Sequence, residues 1–283
     1  MNIKKVGVIG AGTMGSGIAT VALEAGFTVI LHDTTDELAK RGIANVAANF
    51  GRAVKKGKKT QEAADGLLSN LSITSSLTDL ADVDVIIEAI FENMARKKEI
   101  YGALDKICKA DTWFASNTSG LSITEMASST QRQGQVVGMH FFNPVPVMKL
   151  VEVIRGAATT DEIFQAAMDL TVKLGKEPIA VQEAPLFVVN RILVPMLNEA
   201  IFVLQEGIAS KEDIDKGMVL GTNQPIGPLA LCDLVGLDVM LMVLDNLHEE
   251  MGDSKYRPCP LLRKMVRAGY LGRKSGKGFY EYS

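Results

Sequence analysis

The sequence predicts an α/β protein, with a doubly wound sheet over residues 1–184 and an all-α C-terminal domain over residues 185–283. Three observations carry this expectation. Short apolar runs alternate with helical patterns through the N-terminal part, which implies parallel strands joined by crossover helices. The first apolar run breaks directly into a glycine-rich turn at Gly10, Gly12 and Gly15. Beyond Val181 the strands stop and long helical patterns take over. A chain of 283 residues also exceeds one small core and suits two domains.

The stretch Ile3 to Gly15 reads as a buried strand, a tight turn and the start of a helix. Its glycines have the G-x-G-x-x-G spacing: one for the turn, one for an unobstructed approach to a pyrophosphate, one for close packing of helix on strand. The helix N-terminus presents free N–H groups and a positive dipole end to the phosphates, so Gly10, Gly12, Thr13, Met14 and Gly15 are candidate contacts. A second apolar strand, Thr28 to Leu31, leads to Asp33, at the distance where a ribose-binding acid belongs. Strand, turn, helix, strand and acid in that order predict a Rossmann-type dinucleotide site. A carboxylate at Asp33 accepts from both ribose hydroxyls and repels a 2′-phosphate, and the next residue is Thr34 and not a compensating arginine. NAD is therefore favoured over NADP.

Along the chain, Met14, Ile18, Ala22 and Ala25 recur at helical spacing and pack the first helix on the sheet. Glu37 to Lys56 is again helical, and its end is basic: Arg52, Lys55, Lys56, then Lys58 and Lys59. This cluster is either a solvated helix end whose cations suit the dipole or a dock for a phosphorylated ligand. Val83 to Ile90 and Thr112 to Ala115 read as central parallel strands, and ligands of such sheets lie beyond the carboxyl ends of the strands. Glu92 and the run Ser116-Asn117-Thr118-Ser119 are candidates by that position. Val136 to Phe142 forms a further strand ending in His140-Phe141-Phe142-Asn143-Pro144, and Val147 to Ile154 alternates and carries Glu152. Among only three histidines, His140 stands out at a strand end. Glu183-Ala184-Pro185 marks the domain boundary, followed by helical patterns over Phe187 to Gln205, Lys211 to Leu220 and Ala230 to Met251. Their apolar faces exceed what a small bundle buries and imply a partner subunit.

Composition narrows the function classes. Apolar residues make up 47% and charged residues 22%, the balance of an ordinary globular protein. A net charge of −3 argues against a general nucleic-acid partner. The anchoring strand begins too early for a leader peptide and no apolar run approaches a membrane span, so the expected location is the cytoplasm. Cys108, Cys232 and Cys259 are far apart and include no C-x-x-C, which points to no disulfide framework and no metal site.

In order, Gly10 to Gly15, Asp33, Glu88-Ala89-Ile90-Phe91-Glu92-Asn93, Ser116 to Ser119, His140 to Pro144, Pro185 to Arg191, Gly227-Pro228-Leu229 and Gly272 to Tyr280 resemble the 3-hydroxyacyl-CoA dehydrogenase family over essentially the full length. No hydratase domain is attached, which resembles the stand-alone short-chain form. The resemblance implies NAD-dependent interconversion of (S)-3-hydroxyacyl-CoA and 3-oxoacyl-CoA, with substrate bound between the domains and a homodimer built on the helical one. It implies His140 as general base and Glu152 as the carboxylate that orients it, an arrangement with independent chemical sense. Ser119 and Asn190 align with groups that hold the substrate oxygen, Asn143 with a residue near the nicotinamide, and Glu92, Lys97 and Lys274 with cofactor contacts. Lys56 matches a position that meets the CoA moiety. For the lysines an exposed, solvated role is the competing reading.

Two positions depart from the family pattern. Leu186 stands where Pro-Gly-Phe is usual, and strains the turn if that glycine serves a positive φ. Ala230 stands where an acid is common. Two other classes stay open on the residues: a dehydrogenase of a free β-hydroxy acid, and a non-catalytic NAD-binding protein of the same fold.

Overall fold

The computed structural model describes residues 1–282. Eight strands form one sheet in the order β3-β2-β1-β4-β5-β6-β7-β8: β1 (Lys5–Ile9), β2 (Thr28–His32), β3 (Leu71–Thr74), β4 (Val85–Glu88), β5 (Trp113–Ser116), β6 (Val136–Phe141), β7 (Leu150–Arg155) and β8 (Glu177–Gln182). The helices between them are α1 (Thr13–Glu24), α2 (Asp36–Lys55), α3 (Gln61–Leu68), α4 (Met94–Ile107), α5 (Ile123–Ala127) and α6 (Asp161–Lys173). The inner strands are buried because apolar layers cover both faces. One cluster contains Val8, Ile18, Val29 and Val85; the other contains Ile9, Ile86, Phe114 and Tyr101.

The sheet is mixed, where the sequence predicted a parallel one. The strands from β3 to β6 pair in parallel, but β7 runs antiparallel to β6 and parallel to β8. The reason is the connection: residues 142–149 are too few for a crossover helix, so the chain reverses. Two strands, β3 and β8, were not anticipated. The first spans only four residues, and β8 carries Pro178, which an edge strand tolerates.

The first compact unit ends at Phe187, and a second begins at Val188. The second contains α7 (Val189–Gln205), α8 (Lys211–Thr222), α9 (Pro228–Val235), α10 (Leu237–Met251) and α11 (Pro260–Arg267). The helix expected over Ala230 to Met251 is two helices. Gly236, at φ +102°, is outside helical geometry and breaks them apart. Pro185 does not open α7 either, because Leu186 and Phe187 both take left-handed φ values, +63° and +57°, and delay the helix to Val189. Within this unit Asp233 accepts from the N–H groups of Phe279 and Tyr280, both at 2.9 Å, so the C-terminal signature closes on α9. No helix among the described residues is long and apolar enough to cross a membrane.

Candidate active site

The glycine turn after β1 has the form a dinucleotide needs. A Cβ on Gly10, at φ +96°, would lie 2.6 Å from the Ala89 carbonyl oxygen, and one on Gly15 would lie 1.7 Å from that of Gly10. Only glycine fits either place. A Cβ on Gly12 would meet nothing within 4 Å, so this face of the turn is open to a ligand. The N-terminus of α1 carries no side-chain cap and no acid in its first turn, which leaves the N–H groups around Thr13 and Met14 for an anion. Asp33 is held at the end of β2: Oδ2 accepts from Ala11 N at 2.8 Å and Oδ1 from Thr34 N at 2.7 Å. Next to it, burial pushes His32 below the usual imidazole range, with Asp33 opposing, so His32 supplies no cation to offset that carboxylate at neutral pH. The open glycine turn, the uncapped helix N-terminus and the held Asp33 carboxylate are chemically compatible with NAD.

The ends of β4 and β5 are joined by a buried ionic network. Glu88 and Lys97 are fully buried, and Glu88 Oε1 accepts from Lys97 Nζ at 2.7 Å and from Ile90 N at 2.8 Å. Glu88 Oε2 accepts from Ser116 Oγ at 2.7 Å. Lys97 Nζ also stands 3.4 Å from Glu92, whose carboxylate accepts from Thr118 Oγ1 and from the backbone N–H of Ser119. Lys97 is thus not the exposed, solvated lysine of the competing reading. It lies on the inward stripe of α4 with Tyr101 and Leu104, and its ammonium is consumed by carboxylates. Ser119 itself is exposed at the tip of this turn. Asn117 is buried, and its Oδ1 accepts from Phe141 N at 2.9 Å, tying the end of β5 to the strand that carries His140.

His140 and Glu152 face each other directly across the antiparallel β6–β7 ladder. Both side chains are buried, and Nδ1 lies 2.7 Å from Glu152 Oε2. A carboxylate at that distance requires the proton on Nδ1, which leaves Nε2 as the basic nitrogen. The imidazole packs at a tilt against the Phe142 ring, 4.5 Å between centroids, and against that of Phe187 at 5.9 Å, so its plane is fixed by packing as well. Asn143, two residues past the strand, is exposed. The arrangement can take a proton from, and return it to, a group placed at Nε2.

Comparison with known proteins is consistent along the whole chain. Residues 5–184 match the family description "3-hydroxyacyl-CoA dehydrogenase, NAD binding domain", and residues 187–282 match "3-hydroxyacyl-CoA dehydrogenase, C-terminal domain". The chain belongs to the 3-hydroxyacyl-CoA dehydrogenase family. It is 50% identical over 279 residues to a 3-hydroxybutyryl-CoA dehydrogenase of Clostridioides difficile, covering 99% of each chain. It is 49% identical over 280 residues to one from Bradyrhizobium diazoefficiens, covering 99% of this chain and 96% of that one. The crystal structure of (S)-3-hydroxybutyryl-CoA dehydrogenase from Ralstonia eutropha superimposes with a TM-score of 0.98 at 50% identity, with all of both chains covered.

The other family positions fall in both units of this dehydrogenase. Lys56 caps the C-terminus of α2 and is exposed beside Lys55 and Lys58. Asn190 lies in the first turn of α7 and is half-buried. Lys274 is in the second unit, where its Nζ pairs with Asp238 at 2.5 Å. The departure at Ala230 is compensated locally: Asp215 of α8 accepts from Leu229 N at 2.7 Å and Ala230 N at 3.0 Å and so caps α9. The departure at Leu186 falls on a left-handed residue whose side chain is buried against Gly120, next to Ser119. Sequence reasoning missed Glu88 and Phe187 as parts of the site. The signal for Glu88 was an acid inside an otherwise apolar strand.

Proposed function

We propose that the chain is an NAD-dependent dehydrogenase that interconverts (S)-3-hydroxybutyryl-CoA and acetoacetyl-CoA, with His140 as general base and Glu152 as its orienting partner. The observation that carries this reading is the buried Nδ1–Oε2 contact of 2.7 Å, which selects the tautomer with a basic Nε2. NAD, when bound, supplies the hydride acceptor for the substrate carbon. His140 Nε2 takes the proton of the 3-hydroxyl, and Glu152 stabilises the imidazolium that results; in the reductive direction the imidazolium returns that proton. The Ser119 hydroxyl, whose backbone is held by Glu92, and the Asn190 carboxamide donate to the substrate oxygen as charge develops on it.

Gly10, Gly12, Thr13, Met14 and Gly15 hold the pyrophosphate and Asp33 the adenosine ribose. Glu92, Asn117, Asn143 and Lys274 complete the cofactor site, Lys97 by way of its hold on Glu92, and Lys56 meets the CoA portion of the substrate. The reading extends to a homodimer through the helical unit and to a cytoplasmic location. His140→Ala is expected to lower kcat by about a hundredfold or more while NADH affinity, followed by nucleotide fluorescence, stays near wild type. Wild-type turnover in that variant would remove His140 from the chemistry.

A further inference from the structure

Lys176 is a buried cation that the proposed chemistry does not use. It is 8% exposed, and its Nζ donates to two backbone carbonyls, Val145 O and, at 2.8 Å, Met148 O. Burial pushes its ammonium below the usual lysine range, with Glu24 opposing from α1. Burying an ammonium is costly and its hydrogen bonds to the two carbonyl oxygens offset that cost, so the contact with them is held firmly. The two carbonyls belong to the turn between β6 and β7. In that turn Val147 N and Met148 N both donate to Pro144 O, at 2.9 and 3.0 Å, which makes a single helical turn with carbonyls left over at its C-terminal end.

The lysine is itself rigidly presented. Helix α6 ends in a Schellman motif: Gly175, at φ +70°, donates to Val172 O at 2.9 Å, and Lys176 N donates to Thr171 O at 3.1 Å. The next residue, Glu177, donates to Lys149 O at 2.8 Å and starts β8. From the opposite side the same turn is packed by α1, since a Cβ on Gly17 would come within 2.8 Å of the Val145 side chain. The connection of residues 142–149 is therefore held between the helix that follows the glycine turn and the C-terminus of α6.

That connection has one geometric duty. It joins the strand of His140 to the strand of Glu152 and carries Asn143, so its conformation sets the register in which His140 and Glu152 face each other. We infer that Lys176 is a positioning residue: its ammonium pins the β6–β7 turn through Val145 O and Met148 O, and thereby sets the His140–Glu152 pair. This inference rests on the function proposed above for its effect on turnover. Its effect on the pair does not depend on that function.

The test uses the full chain, with kcat, KM and the imidazole ¹⁵N–¹H resonances of protein labelled at histidine. Only His32, His140 and His248 contribute signals, and His140→Ala identifies the one of interest. Lys176→Met is expected to shift or broaden the His140 Nδ1–H resonance and to lower kcat with acetoacetyl-CoA by about tenfold or more, with KM for NADH changed by less than about twofold. Lys173→Met, exposed in the last turn of α6, is expected to change neither. Lys176→Gln keeps N–H donors on a shorter stem and is expected between wild type and Lys176→Met. Should Lys176→Met not fold, Lys176→Gln carries the same readouts. An unchanged His140 resonance in a folded variant overturns the inference, even if its Tm falls, because a purely structural lysine would do that much. A shifted resonance with wild-type kcat overturns the link to the chemistry. A wild-type chain inactive on acetoacetyl-CoA overturns the proposed function instead, and the resonance still decides the role of Lys176.

Discussion

At the residue scale, the Glu88–Lys97 pair is the arrangement with the largest electrostatic stake. Both groups are fully buried, and each compensates the desolvation of the other. Removing one partner leaves a buried charge alone, which costs about 3–5 kcal/mol, whereas replacing both by neutral groups is often close to neutral. Lys97→Met is accordingly expected to lose about 3–5 kcal/mol in urea unfolding, and Glu88→Gln/Lys97→Met to recover most of it. A double variant no more stable than the single one would show that the pair is not the source of the loss. The chemistry-bearing residues were legible in the sequence as types: a glycine turn, an acid after the second strand, a histidine at a strand end. The pairing of Glu88 with Lys97 was not. Arg96, Lys97, Lys98 and Glu99 are consecutive charges, and only the spacing of Lys97 with Tyr101 and Leu104 marked which of them faces inward.

At the element scale, the turn at Leu186 and Phe187 is the strained one. A non-glycine residue in the left-handed region costs about 1–2 kcal/mol, which Leu186→Gly would relieve. The same change strips a buried leucine side chain worth about 2–3 kcal/mol. Burial outweighs strain, so Leu186→Gly is expected to lower stability by about 1 kcal/mol. It also vacates the space against Gly120 beside Ser119, and the variant is expected to accept 3-oxohexanoyl-CoA better relative to acetoacetyl-CoA than wild type does. An unchanged ratio of kcat/KM for the two substrates would exclude Leu186 from chain-length selection. Most elements were readable because strands and helices differ in apolar period. The reversal of β7 was not, since period two reports a buried strand and not its direction, and the break at Gly236 was hidden inside a continuous helical pattern.

At the scale of the whole molecule, the first unit contains the glycine turn, Asp33 and the His140–Glu152 pair, and the second contains Asn190 and Lys274, whose site roles are the ones proposed above. The second unit also exposes Leu234, Val235, Val239 and Met242 around the α9–α10 junction. Exposed apolar side chains of this size are compatible with the homodimer proposed above. Met242→Glu combined with Val239→Glu is expected to turn a dimer into a monomer in sedimentation velocity, and an unchanged sedimentation coefficient would place the interface elsewhere. The apolar excess of the C-terminal helices was visible in the sequence, but which residues remain uncovered required the packing of α9 on α10.

The measurement that bears most directly on the central claim is the initial rate of NADH oxidation with acetoacetyl-CoA, run beside free acetoacetate and beside NADPH. The His140–Glu152 pair, the Asp33 carboxylate and the basic end of α2 together predict rapid turnover with acetoacetyl-CoA and NADH and little with either substitute. Turnover of free acetoacetate at a comparable rate, or none with the thioester despite measurable NADH binding, would contradict the account.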